Sequence, residues 1–242
     1  MTVYVGTSGW SYDHWQSVLY PPGTPVRDRL QWYVQRFRTV EVNSTFYHWP
    51  REATFANWYQ RLPDDFLLTV KAPRGLTHAA RLFAPEVWLD RILPRLAALH
   101  EKRGILLLQL PPAMPYDRAR LAGFLALLPA WLRVAFEFRH PSWQQEDVFA
   151  LLEQHAAAYC VMSGAGLPCI LRATAPFVYV RLHGPDPHHL YAGSYSDDDL
   201  RWWATRLDEW TGQGRDVFAY FNNDGGGHAV RNAETLRRLT AG

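Results

Sequence analysis

Arg133-Val-Ala-Phe-Glu-Phe-Arg139 is the stretch that decides the fold. Val134, Phe136 and Phe138 alternate with Ala135, Glu137 and Arg139, so a strand here has one apolar face and one that ends in charge. A core strand has no structural need for Glu or Arg, because desolvating an unpaired ion costs several kcal/mol. The same design recurs along the chain. Thr39-Val-Glu-Val-Asn43, Phe66-Leu-Leu-Thr-Val-Lys71, Gly104-Ile-Leu-Leu-Leu-Gln109 and Phe177-Val-Tyr-Val-Arg-Leu-His183 are apolar runs that each finish on a polar or ionisable side chain.

Eight such runs are predicted, near residues 3–6, 39–43, 66–71, 104–110, 133–139, 158–163, 177–183 and 217–222. Their Val, Leu, Ile, Phe and Tyr content reads as strands buried on both faces. Helical stripes lie between most of them, at Asp28–Phe37, Thr54–Leu62, Pro85–His100, Asp117–Leu128, Glu146–His155, Ser196–Trp210 and Ala229–Leu239. Thr54 and Asp117 are candidate caps, and Ser196 with Asp199 resembles a capping box. Between Cys160 and Phe177 the segment Gly164-Ala-Gly-Leu-Pro-Cys leaves no room for a full helix. The expected fold class is α/β: a single (β/α)₈ TIM-type barrel of eight parallel strands and about seven helices, the one after strand six missing or very short. An open doubly wound sheet is the rival, but no Gly-rich dinucleotide turn follows the first strand. With no internal repeat or linker, residues 1–242 are read as one domain.

Composition narrows the function classes. Of 242 residues, 48% are hydrophobic and 20% charged, which describes a globular chain. The net charge of +2, without a long basic run, gives weak support to a nucleic-acid surface. No apolar stretch reaches the roughly 18 residues of a membrane span. The chain enters a strand almost at once, so a cytoplasmic location is expected. The two cysteines, Cys160 and Cys169, lack metal-ligand spacing, and no disulfide between them is expected.

The inward residues at the strand ends define a candidate site, because this architecture builds its active sites there. Strand two sends in Glu41 and Asn43, strand three Thr69 and Lys71, and strand four Gln109. Strand five adds Glu137 and Arg139, strand seven Tyr179, Arg181 and His183, and strand eight Asn222. Lys71, Arg139 and Arg181 stand against Glu41 and Glu137, so a small anion would restore neutrality, and Arg presents a planar fork to phosphate or carboxylate. Buried charges are usually paired, and Glu137 with Arg181 and Glu41 with Lys71 are the pairings that a lattice without function would use. The loops contribute Trp10, Tyr47, His78, His140 and Asn223. Gly9 permits a tight turn beside Trp10. Asn222-Asn223-Asp224-Gly-Gly-Gly-His228 leads into a helix at a place where such barrels commonly hold phosphate, and Gly184–Tyr195 is a lid candidate.

Gly6-Thr-Ser-Gly-Trp10, Val40-Glu-Val-Asn-Ser-Thr-Phe-Tyr47, Lys71-Ala-Pro-Arg with Thr77-His78 and Leu108-Gln-Leu-Pro-Pro112 make a specific set of motifs. Glu137-Phe-Arg-His140 with Ser142-Trp143, Tyr179-Val-Arg-Leu-His-Gly184 and Tyr220-Phe-Asn-Asn223 complete it. Together they resemble the YecE-like family, catalogued as domain of unknown function seventy-two. The resemblance covers nearly the whole chain. It implies a TIM-barrel fold and no established activity.

Three functional readings follow. The first is an enzyme, a hydrolase or lyase, acting on a phosphate- or carboxylate-bearing molecule. Arg139, Arg181 and Lys71 bind the anion, Glu137 or Glu41 is the general base, and His183 is its acid–base partner. Trp10, Asn43, Tyr47, His78, Gln109, His140, Asn222 and Asn223 line the substrate site. No cofactor is called for, although a metal-assisted version would use Glu41, His78, Glu137 and His183 to hold a divalent metal. The second is glycoside hydrolysis with Glu41 and Glu137 as the carboxylate pair. The third is a non-catalytic protein that binds an anionic metabolite or a nucleic-acid segment, its aromatics stacking on bases.

Overall fold

In the computed structural model, which describes residues 1–240, the alternating apolar runs become short parallel strands. They are β1 (Val3–Thr7), β2 (Thr39–Val42), β3 (Leu67–Lys71), β4 (Arg103–Leu110), β5 (Val134–Phe138), β6 (Ala158–Ser163), β7 (Phe177–Leu182) and β8 (Asp216–Phe221). The sheet order is β1-β8-β7-β6-β5-β4-β3-β2. It is the order of an α/β TIM-type barrel, in which each strand pairs beside the next in sequence. Seven stretches lie within a few residues of the predicted helices: α1 (Arg29–Tyr33), α3 (Glu52–Arg61), α4 (Glu86–Ala97), α5 (Arg118–Ala126), α6 (Glu146–Gln154), α7 (Asp197–Gly212) and α8 (His228–Leu239). A further short helix, α2 (Ser44–Tyr47), follows β2, where only a loop was expected. Among the described residues no helix lies between β6 and β7.

The chain divides into two compact units. The first comprises Met1–Glu41, Val161–Leu171 and the segment from Pro176 on. Its strands pair in register from Val3 opposite Val217 to Thr7 opposite Phe221, and from Phe177 opposite Asp216 to Leu182 opposite Phe221. The Gly9 amide continues the pattern by donating to the Glu41 carbonyl at 2.7 Å, with Gly9 at φ +92° as the tight turn requires. Its core holds Leu30, Tyr33 and Phe37 under α1, and Leu200, Trp203 and Leu207 from α7. Ser196 and Asp199 form the expected capping box at the start of α7.

The second unit comprises Val42–Cys160 and Arg172–Ala175. Here β4 runs beside β5 with Leu106 opposite Val134 and Gln109 opposite Glu137. Ile92 and Leu96 of α4 and Leu121 and Phe124 of α5 are buried. Asp117 caps α5 by accepting the Arg120 amide at 3.0 Å. Thr54 is not a cap. α3 begins two residues earlier, directly after Pro50 and Arg51, and Glu52 supplies the negative charge its first turn favours. Lys102, 5% exposed, ends the same helix by donating from Nζ to the Leu62 carbonyl at 2.7 Å and the Tyr59 carbonyl at 3.0 Å. Cys160 is a buried free thiol and Cys169 an exposed one.

Candidate functional site

In the first unit the site is built around Glu41, which is wholly buried. Its position at the end of β2 puts the carboxylate beside the inward side chains of β7. Oε1 accepts from Ser8 Oγ at 2.6 Å and from an Arg181 guanidinium nitrogen at 2.7 Å, and Oε2 accepts from the Tyr179 hydroxyl at 2.5 Å. Burial alone would raise the carboxyl pKa. The Arg181 charge and the three donated hydrogen bonds outweigh it and hold the group below its ordinary value. Tyr179 moves the other way: burial and the Glu41 charge keep its hydroxyl protonated far above the usual tyrosine range. Tyr12 reinforces Ser8 by donating to its carbonyl at 2.7 Å.

His183, fully buried just past β7, lies with Nδ1 at 3.2 Å from the Asn222 side-chain nitrogen. The amide nitrogen donates, so Nδ1 accepts and the ring proton sits on Nε2. Asn223 has a different task. Its side-chain nitrogen donates to the Gly193 carbonyl at 2.9 Å and to Asn232 Oδ1 at 3.0 Å, tying the loop after β7 to α8. Trp10 is half-buried in the bend after Gly9.

The second unit carries a second group of charged strand-end residues. Arg139, just past β5, donates from Nε to Glu137, whose side chain is fully buried. The Cys160 thiol lies 4.0 Å from the other oxygen of that carboxylate. Gln109 is half-buried opposite Glu137 in the ladder. Lys71, the last residue of β3, places its ammonium 4.4 Å from the centre of the Phe46 ring, a cation–π contact. Phe46 also meets His78 in a T-shaped contact, 4.9 Å between ring centres. His78 sits in a π-helical turn, Gly75–Ala79, and its Nδ1 is 3.0 Å from Thr77 Oγ1. Burial, and then the charges of Lys71, Arg74 and Arg139, hold its pKa below the ordinary histidine value, with Glu137 acting in the opposite sense. Asn43 lies between β2 and α2, and its Oδ1 is buried without a hydrogen-bond partner.

Two of the named residues stand apart. Tyr47 is 73% exposed and packs edge-on against Phe46 at 5.1 Å. His140 turns to Ser142, with Nδ1 at 2.7 Å from its hydroxyl, and caps the 3₁₀ turn Pro141–Trp143. Among the described residues no three His, Cys, Asp or Glu side chains group to hold a metal ion. Tyr179 was read as inward on strand seven from the parity it shares with Arg181, but without a role. The set read from the sequence omitted Ser8, Phe46 and Thr77, which lie just past a strand and in short helical turns whose side-chain directions no period reports.

The family model described as "Protein of unknown function DUF72" matches residues 4–242. The chain belongs to the DUF72 family. Among DUF72 relatives it is 30% identical to the UPF0759 protein YunF of Bacillus subtilis over 275 residues, covering 98% of this chain and 94% of YunF. It is 30% identical to the UPF0759 protein YecE of Escherichia coli strain K12 over 145 residues, covering 58% of this chain and 50% of YecE. The crystal structure of a DUF72 family protein from Thermotoga maritima superposes over the full length of both chains with a TM-score of 0.87 at 27% identity. For this DUF72 chain the strand-end residues therefore stand on a fold shared along the whole sequence. No helix among the described residues is long and apolar enough to cross a membrane.

Proposed function

We propose that the protein is an enzyme that binds a phosphate- or carboxylate-bearing small molecule at the strand ends of the second unit and acts on it by acid–base chemistry. One observation carries the reading: Lys71, through its contact with Phe46, and Arg139, through its pair with Glu137, lie at strand ends near the half-buried His78, on which Lys71, Arg74 and Arg139 act after burial to lower the pKa and Glu137 acts in the opposite sense. Cations gathered beside an imidazole are the groups that an anionic substrate would engage. Lys71 offers a point charge and Arg139 a planar fork, while Gln109 and Asn43 supply neutral polar groups at neighbouring strand ends. Glu41 and Arg181, locked together in the first unit, serve as a fixed frame rather than as a base.

The carboxylate-pair alternative does not have its acid in Glu41. A glycosidase general acid requires a carboxyl pKa raised toward neutrality, and Glu41 is held low. Among the described residues no cluster of ligands supports a metal-assisted version. Calorimetric titration with inorganic phosphate, and with a panel of phosphorylated and carboxylated metabolites, tests the proposal. Saturable binding is expected, weakened at least tenfold in Lys71→Ala and Arg139→Ala. Binding that neither variant weakens would refute the site. Tight binding without turnover of any panel member would favour a carrier of anionic metabolites. Preference for single-stranded oligonucleotides would favour a nucleic-acid binder.

A further inference from the structure

The π-helical turn Gly75–Ala79 is the least ordinary backbone beside the cations. Such turns are rare and fall frequently at functional sites. Two contacts fix this one. Gly75 lies so close under the Trp88 ring that a Cβ there would come within 2.0 Å of it. The buried Thr77 hydroxyl reaches the Pro73 carbonyl at 3.3 Å and His78 Nδ1 at 3.0 Å. A carbonyl only accepts, so a hydroxyl proton directed at Pro73 leaves the Thr77 oxygen to accept from Nδ1–H. The neutral ring then carries its bare lone pair on Nε2, and among the described residues no group hydrogen-bonds that nitrogen. The Phe46 ring, at 82° to the imidazole plane and 4.9 Å from it between centres, packs against the ring and restrains its orientation.

We infer that His78 is the proton-accepting catalytic residue of the anion site, drawing a proton through Nε2 from a substrate that carries a hydroxyl group near its phosphate or carboxylate. The inference rests on the anionic-substrate reading above and assigns the base within it. In the step, an Nε2–H bond forms as the substrate O–H bond breaks, and the electron pair stays on the substrate oxygen. The resulting alkoxide charge develops in the field of Lys71 and Arg139, and the imidazolium later returns its proton to the product or to water. The charged groups that act on the ring come from three places: Lys71 ends β3, Arg74 precedes the π turn, and Glu137 with Arg139 lie at the end of β5. Phe46 of α2 faces it without charge. The two carboxylates suit the task less well. Glu137 accepts from Arg139, and Glu41 is held ionised by three donors. Thr77 is a positioning residue, acting through the tautomer it selects.

Long-range ¹H–¹⁵N correlation on the full-length protein tests this, with the His78 signals assigned by their loss in His78→Gln. The expected result is a neutral ring protonated on Nδ1, titrating below the free-histidine value of about 6.5. Inorganic phosphate should raise that midpoint by about one pH unit, as an adjacent opposite charge does. Thr77→Val should shift the neutral ring toward the Nε2-protonated form, and Thr77→Ser should restore the wild-type pattern. A neutral wild-type ring protonated on Nε2, or a midpoint at or above the free value, would overturn the assignment of His78. A Thr77→Val spectrum identical to wild type would overturn the positioning role of Thr77. Phosphate that moves no signal of Lys71, Arg139 or His78 would overturn the anion reading. Because the tautomer is measured without phosphate, the two failures are distinguishable.

Discussion

Replacing Glu41 by Gln should cost the protein about 3–4 kcal/mol at pH 7. Gln keeps the volume and can still accept from Tyr179, so the loss comes from the charge. Arg181 is 1% exposed and Glu41 0%, so neither is screened by water. Removing one partner of a buried ion pair costs about 3–5 kcal/mol, because the remaining ion stays desolvated. The isosteric change keeps part of the hydrogen bonding, which places the expectation at the lower end. For a chain of this size that is a fall in melting temperature of about 10 °C. Urea denaturation at pH 7 should show the midpoint shift with an unchanged slope. The pH dependence adds a second signature. The folded carboxyl has a lowered pKa, so its contribution is present above the unfolded-state value near 4.3 and is lost as pH falls through the folded one. Wild type should therefore lose stability more steeply below pH 4 than Glu41→Gln does, and the two curves should converge in acid. Combining it with Arg181→Met should recover part of the loss, since an apolar replacement removes the stranded charge. A Glu41→Gln protein within 1 kcal/mol of wild type at pH 7, or one that runs parallel to it down to pH 2, would refute the view that this carboxylate is a locked structural ion.

Lys102→Met should lose about 2 kcal/mol in the same denaturation assay, because its ammonium satisfies the Tyr59 and Leu62 carbonyls at the end of α3. Gly75→Ala should lose about 1–3 kcal/mol through overpacking against Trp88, and the double change with Trp88→Leu should restore most of it; equal stability of Gly75→Ala and wild type would remove the close contact as a determinant of the π turn.

The fold was legible because each strand is buried on both faces and so reads as an uninterrupted apolar run. Val134-Ala-Phe-Glu-Phe138, apolar but for Glu137, leaves no alternative to a strand. Helix ends were legible where a side chain makes the cap, as at Asp117 and Ser196, and illegible at α3, where Pro50 and the backbone set the start without help from Thr54. The inward parity of Glu41, Tyr179 and Arg181 followed from the period of two. Their partnership did not. Ser8 reaches Glu41 because the turn at Gly9 lays β1 beside β2, a matter of stagger that strand periodicity leaves open. Short segments were the weakest part. Ser44–Tyr47 reads as an aromatic loop yet folds as one helical turn, which places Phe46 between Lys71 and His78. A four-residue element offers too little periodicity to register.

The two kinds of strand-end residue suit different work, and their surroundings say why. A group that must gain and lose a proton near neutral pH cannot be gripped so firmly in one state that the other is inaccessible. Glu41 fails that condition: Ser8, Tyr179 and Arg181 all stabilise its anion, so protonating it would weaken their combined hold and strand the Arg181 charge. His78 meets it. The ring is half-buried, its pKa is displaced downward from a value already close to neutrality, and the displacement is of the kind an incoming anion reverses. Substrate binding would then itself raise the basicity of the imidazole beside it, coupling recognition of the anion to the strength of the base. Mutating Arg139 to Leu should raise the His78 midpoint in the absence of any ligand, since one of the depressing charges is gone. It should also shrink the phosphate-induced rise, because the anion binds less. Both changes are readable in one histidine titration. An Arg139→Leu protein whose His78 midpoint stays where it is would show that the Arg139 charge does not reach the ring, and the proposed coupling through Arg139 would fall.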